Sequence, residues 1–201
     1  YLSEGANSAG LSLAGVLPHR GPGGSPVARA GRNLAEMQDQ PLAGLILLNV
    51  EPEHDCGDSR RAVAAVETAG FVLALSPYLS PVLEAHADVV LPVGTFAETA
   101  GTFVNCEGRW QSFTGVATPV GASRPAWKVL RVLGNLLQVP EFDYASAEDI
   151  RATVHGLAGA VSPDNRVAVT AIPPATTAAD IAAGDLDVPM YRTDGILRRA
   201  A

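Results

Sequence analysis

The chain has 201 residues, 47 % of them hydrophobic, which suffices for the core of one medium domain or of one domain with part of a second. Its 21 acidic and 14 basic residues give a formal net charge of −7, a field that repels nucleic acid and anionic lipid. On the basis of this charge we expect no nucleic-acid partner. No apolar run approaches membrane-spanning length, so we expect a cytoplasmic protein without direct membrane insertion.

The first forty residues carry weak helix signals. Residues 6–17 predict a glycine-weakened helix with Leu11, Leu13 and Val16 as apolar contacts. Residues 18–26 are rich in proline and glycine and predict an irregular loop, and residues 32–37 predict a short helix.

Three apolar runs then alternate with two capped helical segments. Residues 45–50 and 71–75 are continuous apolar runs typical of fully buried strands, and residues 89–93 form a third strand. Asp58 or Ser59 caps a helix over 60–69, and Ser80 with Pro81 opens a helix that runs to about His86. This alternation predicts an α/β fold, a parallel sheet flanked by helices, with right-handed crossovers.

Two further helices are predicted before the chain changes character. The first follows Pro125, ends at Pro140, and should dock on the sheet through one apolar stripe. The stripe consists of Trp127, Leu130, Leu133, Leu136 and Leu137. Ser146 and Asp149 form a capping box for the second, which runs to about Leu157. We therefore divide the chain into an α/β region at 1–158 and an irregular C-terminal extension or linker at 159–201, where prolines interrupt β-prone runs such as 167–172.

Cys56 and Cys106 are the two cysteines of the chain, and they are too few for a four-thiolate cluster. We interpret both as buried, reduced thiols.

The acidic loop after the first strand is the one candidate metal site. Within 51–58 it combines Glu51, Glu53, His54, Asp55, Cys56 and Asp58. Because structural metal sites need spaced, convergent ligands, we favour the alternative that this is a solvated acidic loop that also caps the next helix. Its carboxylates would oppose a phosphate at this strand end.

A polar segment follows the third strand. Glu98, Glu107 and Arg109 suggest either an acid–base set or an arginine that pairs with a carboxylate and fixes the loop, and we favour the second interpretation. Trp110 and Trp127 are interpreted as packing anchors rather than stacking platforms. On these grounds we assign no catalytic, cofactor-binding or metal-binding residue.

Motifs in this segment resemble the molybdopterin oxidoreductase superfamily. They are residues 87–92, Glu98, 101–102, Asn105, 107–109 and Gln111. Residues 50–56, 111–113, 124–131 and 191–200 further resemble the large iron–sulfur subunit (the G subunit) of bacterial NADH–quinone oxidoreductase, respiratory complex I.

The resemblance implies a molybdopterin-oxidoreductase-like domain from a C-terminal-side fragment of that subunit, which passes electrons from NADH to quinone coupled to proton translocation. The family carries its iron–sulfur clusters on cysteine motifs in an N-terminal region missing here, so this portion would hold no cofactor and act structurally. Its partners would be the other peripheral-arm subunits, at the cytoplasmic periphery of the inner membrane. Apolar cut surfaces make a homodimer one outcome for the isolated fragment.

Two alternatives stay open. In a molybdenum-dependent, formate dehydrogenase-like enzyme, residues 49–59 and 92–111 would converge on a molybdopterin guanine dinucleotide site, with Thr99, Thr102, Asn105 and Arg109 as donors. The other alternative is an independent small-molecule-binding module of flavodoxin-like form.

Overall fold

The alternating segments at 45–92 form a three-stranded sheet in the computed structural model, which describes residues 5–159 and 195–200. Its strands are β1 (Leu45–Leu48), β2 (Val72–Ser76) and β3 (Val89–Pro92). They run parallel in the order β1-β2-β3, with Leu45 paired to Val72 and Leu73 paired to Val89. The predicted α/β fold with a parallel sheet flanked by helices is confirmed.

The described residues contain the helices α1 (Ser8–Leu13), α2 (Leu34–Gln38), α3 (Pro52–Asp55), α4 (Ser59–Glu67), α5 (Pro81–His86), α6 (Ala126–Leu136) and α7 (Ala147–Ala158). Side-chain caps mark the starts of α2, α4, α5 and α7. The Asp58 carboxylate accepts the Arg61 N–H at 3.1 Å, and the Ser146 hydroxyl accepts the Asp149 N–H at 3.1 Å. These contacts confirm the predicted starts of α4 and α7, because side-chain oxygens satisfy N–H groups that lack an intrahelical partner.

Strand β2 is the centre of the core, and every residue in it is buried. Leu73, Leu75 and Val93 pack on one face of the sheet against α6. Because side chains alternate along a strand, Val72 and Ala74 lie on the opposite face. The sheet is therefore covered on both faces over β2, as parallel sheets usually are.

The prediction that β1 is fully buried is wrong. Ile46 and Leu48 are 58 % and 42 % exposed. They are register partners of Leu73 and Leu75 and so share the α6 face of the sheet. The contacts of α6 reach β2 and β3, where Leu91 joins the same cluster, and leave this part of the edge strand uncovered.

Two helix predictions also need correction. Helix α1 ends at Leu13, so Val16 lies beyond it and is 64 % exposed. Helix α6 docks through Ala126, Val129, Leu130 and Leu133. Leu136 and Leu137, at the end of the predicted stripe, are 76 % and 67 % exposed because the helix has passed the edge of the core by its last turn.

An antiparallel hairpin, absent from the sequence predictions, follows β3. Its strands are β4 (Gly101–Val104) and β5 (Trp110–Phe113), with Val104 paired to Trp110. Gly101 lies so close to the Phe113 ring that a Cβ there would be 2.4 Å from Cζ. A side chain at this position would therefore force the Phe113 ring to move.

The chain divides into two compact units, residues 1–162 and 163–201. The described part of the second unit contains the 3₁₀ turn Leu197–Arg199. The predicted β-prone run 167–172 and most of the predicted extension 159–201 lie outside the described residues, so that domain boundary stays a prediction. Along 5–159 and 195–200, no helix combines the length and apolar character needed to cross a bilayer.

Candidate functional site

The carboxyl ends of β1, β2 and β3 meet at one edge of the sheet because the strands are parallel. Ligands of open α/β sheets bind in the crevice outside this edge. The chain leaves it through three segments, at 49–58, 77–80 and 93–98. These segments form the candidate site.

The first segment is folded tightly. Asn49 adopts a left-handed conformation with φ of 53°, which asparagine tolerates better than most residues. Glu51 is only 4 % exposed, and its N–H donates to the Asp55 carboxylate at 2.7 Å across the short helix α3. The prediction of a solvated loop is therefore wrong at Glu51, whereas the predicted capping by Asp58 is confirmed. Within the described ranges, no group of three or more acidic, histidine or cysteine side chains is arranged to hold a metal ion.

The Glu53 carboxylate lies at the amino-terminal end of α5. Its Oε1 accepts the Val82 N–H at 3.4 Å, across 29 residues of sequence. The first residue of α5 is Pro81, which has no N–H, and the Ser80 hydroxyl accepts the Leu83 N–H at 3.4 Å. The donors of this helix end are thus taken by the chain's own oxygens.

This arrangement has a direct electrostatic consequence. Phosphate groups bind helix amino termini through the N–H groups that Glu53 and Ser80 occupy here. The other carboxylate oxygen of Glu53, Oε2, is buried with no hydrogen-bond partner among the described residues. A phosphate placed here would lie against the partly buried Glu53 carboxylate, so the edge does not fit a pyrophosphate.

Glu98 serves as a structural clamp after β3. Its Oε2 accepts the Thr95 N–H at 2.8 Å and the Thr95 hydroxyl at 2.9 Å, while Oε1 accepts the Val120 N–H at 3.0 Å. These hydrogen bonds, the Thr95 N–H foremost, lower the pKa of the Glu98 carboxyl because they stabilise its charged form. A carboxylate held ionised by three donors suits fixing of the 95–120 segment and is poorly suited to donate a proton.

Asn105 organises the hairpin turn. Its side-chain oxygen accepts the N–H groups of Glu107 at 3.1 Å and Arg109 at 2.9 Å. Gly108 in the same turn has φ of 78°, a left-handed conformation that favours glycine. The role that we predicted for Arg109, fixing this loop, therefore belongs to Asn105.

The favoured prediction that Arg109 pairs with a carboxylate is wrong. The Arg109 side chain is exposed and forms no ion pair with any residue that the structure describes. Two of the other donors proposed for a guanine-nucleotide site are used within the hairpin segment. The Thr99 hydroxyl donates to the Ala100 carbonyl at 3.2 Å, and the Thr102 and Ser112 hydroxyls are 3.0 Å apart.

The tryptophans and cysteines occupy different environments. Trp110 meets the ring of His155 edge-on, with 4.9 Å between ring centroids. Both Trp110 and Trp127 line a cavity of about 230 Å³ beside α1 and α7. Cys106 is exposed, so the prediction of two buried thiols is wrong for it; Cys56 is half-buried, and burial raises its pKa, with a smaller contribution from Asp55.

Sequence reasoning missed the contact between Glu53 and α5. The only local signal was that a helix starting at Ser80-Pro81 leaves the Val82 N–H without an acceptor nearby in sequence, so that a distant residue must supply one. It also missed the hairpin, although the turn chemistry of Asn105 and Gly108 between alternating residues was a usable signal.

Comparison with known proteins agrees with this architecture. Residues 19–136 match the family model described as Molybdopterin oxidoreductase. The G subunit of NADH-quinone oxidoreductase from Mycobacterium bovis is 37 % identical over 136 residues, covering 56 % of this chain and 17 % of the relative. The G subunit from Streptomyces coelicolor is 32 % identical over 180 residues, covering 76 % of this chain and 21 % of the relative.

A protein of Staphylococcus aureus provisionally named a formate dehydrogenase is 33 % identical over 87 residues, covering 43 % of this chain and 9 % of the relative. The match spans about a fifth of the length of the two G-subunit relatives, 17 % and 21 %. Because the family model covers the sheet, the hairpin and α6, the chain belongs to the molybdopterin oxidoreductase family.

Proposed function

We propose that this chain is an architectural segment of an NADH–quinone oxidoreductase iron–sulfur subunit. The parent subunit would pass electrons from NADH to quinone, coupled to proton translocation, through clusters held by other parts of the polypeptide. The similarity to the G subunits of two organisms supports this assignment. With two cysteines, this chain holds too few thiolates for a four-cysteine cluster.

One observation carries the architectural role. The family name implies molybdopterin, whose phosphates would bind best at helix amino termini on the carboxyl edge of the sheet. At this edge the Glu53 carboxylate is 3.4 Å from the Val82 nitrogen and keeps a buried oxygen without a partner among the described residues. The residues present do not fit the phosphates of such a cofactor. Instead, Glu53 and Ser80 accept hydrogen bonds from the chain's own backbone, which supports a structural role for this edge.

Metal analysis and calorimetry test this proposal on the purified 201-residue chain. We expect substoichiometric iron and molybdenum after dialysis, and no saturable heat with guanosine diphosphate. Stoichiometric molybdenum, or nucleotide binding by the unaltered chain, would overturn the architectural role.

A matched pair of variants examines the electrostatic argument. Glu53→Gln removes the charge at the α5 terminus, and Glu148→Gln removes one charge from an exposed position of α7. Nucleotide binding that appears with Glu53→Gln and not with Glu148→Gln would identify the Glu53 charge as the barrier to phosphate.

The proposed partners are the other peripheral-arm subunits, at the cytoplasmic periphery of the inner membrane. The proposed association can be tested by native electrophoresis of membranes from cells whose parent subunit carries a deletion of the segment that corresponds to residues 45–93 of this chain. The expected result is loss of the assembled complex while the remaining subunits are still synthesised. An intact complex of normal mobility would contradict the proposed scaffold.

A molybdenum-dependent, formate dehydrogenase-like enzyme is the second candidate, and the match to the Staphylococcus aureus protein favours it. This second function predicts that the parent protein reduces a dye when formate is supplied. It also predicts guanine-nucleotide binding that is weakened by Thr102→Ala or by Asn105→Ala. The use of both side chains in hairpin hydrogen bonds speaks for the first proposal.

A further inference from the structure

A cavity of about 730 Å³ lies beside α6, and none of the three segments of the sheet edge lines it. Among the described residues that line it, the charged ones are all cations, Arg124, Lys128 and Arg131, and none is a carboxylate. This concentration of positive charge is unusual in a chain of net charge −7. A pocket of this size accommodates a small organic molecule.

The placement of the cations is unfavourable for the isolated helix. Lys128 and Arg131 are three residues apart in α6 and therefore lie on one helix face, where like charges repel. Lys128 lies in the first turn of α6, which contains no acidic residue, and cations are disfavoured near the positive end of the helix dipole. An anion in the cavity would relieve both effects.

Arg131 provides an independent sign of a missing partner. Its Nε is buried and has no hydrogen-bond acceptor among the described residues. A buried donor without an acceptor is costly, because its bonds to water are lost and not replaced. Arg124 precedes the same helix, and its Nη1 donates to the Ser123 carbonyl at 2.7 Å.

The rest of the lining selects the body of the ligand. Trp127 and Tyr144 give the cavity aromatic surface, and Leu91 and Leu133 add aliphatic surface. The ammonium of Lys128 is 5.4 Å from the centre of the Trp127 ring, so charge and aromatic surface are adjacent. A ligand that uses both must carry an anionic group on an apolar or aromatic body.

We propose that this cavity is a binding site for a small amphipathic anion, a carboxylate or phosphate attached to an aromatic or apolar group. The guanidinium of Arg131 and the ammonium of Lys128 bind the anionic group, and Trp127 and Tyr144 pack against the body. This site is independent of the architectural role, since it uses neither the segments of the sheet edge nor the hairpin.

Calorimetry of the full chain with three related probes tests the proposal. The probes 1-naphthyl phosphate, 1-naphthoate and neutral 1-naphthol share one ring system and differ in charge. We expect saturable binding of at least one anion, with 1-naphthol weaker by about tenfold or more, because charge-assisted hydrogen bonds are the stronger ones. The tighter of the two anions identifies whether phosphate or carboxylate is preferred.

Arg131→Gln should weaken binding of the preferred anion by about tenfold, and Lys128→Gln, at an exposed position where the fold tolerates the change, should weaken it by a smaller factor. The matched control is Arg60→Gln on α4, which removes the same charge outside the cavity and should leave the affinity unchanged. Equal affinity for 1-naphthol, absence of saturable binding by both anions, or full affinity in both cavity variants would overturn the proposal.

Discussion

Leu75 is the side chain whose truncation tests the docking of α6 most directly. It is fully buried in the central strand and packs with Leu73 and Val93 against that helix. Replacing a buried leucine with alanine loses the transfer free energy of the removed carbons and leaves a cavity, at a cost of about 2–5 kcal/mol. This is a large fraction of the roughly 5–15 kcal/mol that stabilises a typical domain.

The matched control is Leu136→Ala on α6 itself. Leu136 is 76 % exposed, so its truncation should change the free energy of unfolding by no more than about 0.5 kcal/mol. Both tryptophans lie in the first unit, so urea unfolding followed by tryptophan fluorescence reports on this core. With an m-value of about 2 kcal/mol/M, a loss of about 3 kcal/mol lowers the urea midpoint by about 1.5 M.

The two variants distinguish the docking surface of α6 seen in the structure from the apolar stripe that the sequence predicted. That stripe included Leu136, so equal losses from Leu75→Ala and Leu136→Ala would refute the docking geometry described here. A loss below about 1 kcal/mol for Leu75→Ala would refute the burial argument itself.

Three further outcomes follow from local geometry. Hydrogen bonding lowers the pKa of Glu98 in the folded state, so the stabilisation that this carboxylate gives is complete above the unfolded pKa of about 4.3 and disappears as pH falls through the lower folded value. The difference in unfolding free energy between wild type and Glu98→Gln, measured by urea titration, should therefore shrink below about pH 4.3. A difference that widens there would contradict the assignment. Gly134→Ala places a Cβ 2.1 Å from the Phe142 ring, so the overpacking cost of about 1–3 kcal/mol should outweigh the roughly 1 kcal/mol gained in helix propensity and lower the free energy of unfolding. In a Phe142→Ala background the same change should be neutral or stabilising. A loss of stability that persists there would show that the ring is not the obstacle. Cys106 is exposed whereas burial raises the pKa of Cys56, so a disulfide reagent at about pH 8 should give a fast phase that Cys106→Ser removes; its removal by Cys56→Ser would reverse the assignment.

The contrast between β1 and β2 shows where sequence reasoning stopped. Both strands are continuous apolar runs, and both were predicted to be fully buried. Only β2 is, because α6 covers one of its faces and does not extend over Ile46 and Leu48. Hydrophobicity along a strand indicates that it pairs in a sheet but does not specify which neighbour covers it.

The hairpin and the sheet edge had a similar outcome. Asn105 and Gly108 carry turn chemistry that would have predicted β4 and β5, had the polar composition of the segment not suggested a loop. No local pattern could place Glu53 against α5, because the bond from the Val82 N–H spans 29 residues. The same holds for the cavity beside α6, where Tyr144 and Leu91 meet cations from a different element.

The sequence alone determined the presence and parallel direction of the three strands, the starts of α4, α5 and α7, and the resemblance to the family that the comparisons then established. These features depend on periodicity, caps and turn residues, which act within a few positions of the chain. Only the tertiary structure decided which apolar faces are covered, that the Glu53 carboxylate lies at the amino-terminal end of α5, and that three cations share one cavity. Those features arise between residues far apart in sequence, and their energies depend on burial, which the folded chain alone defines.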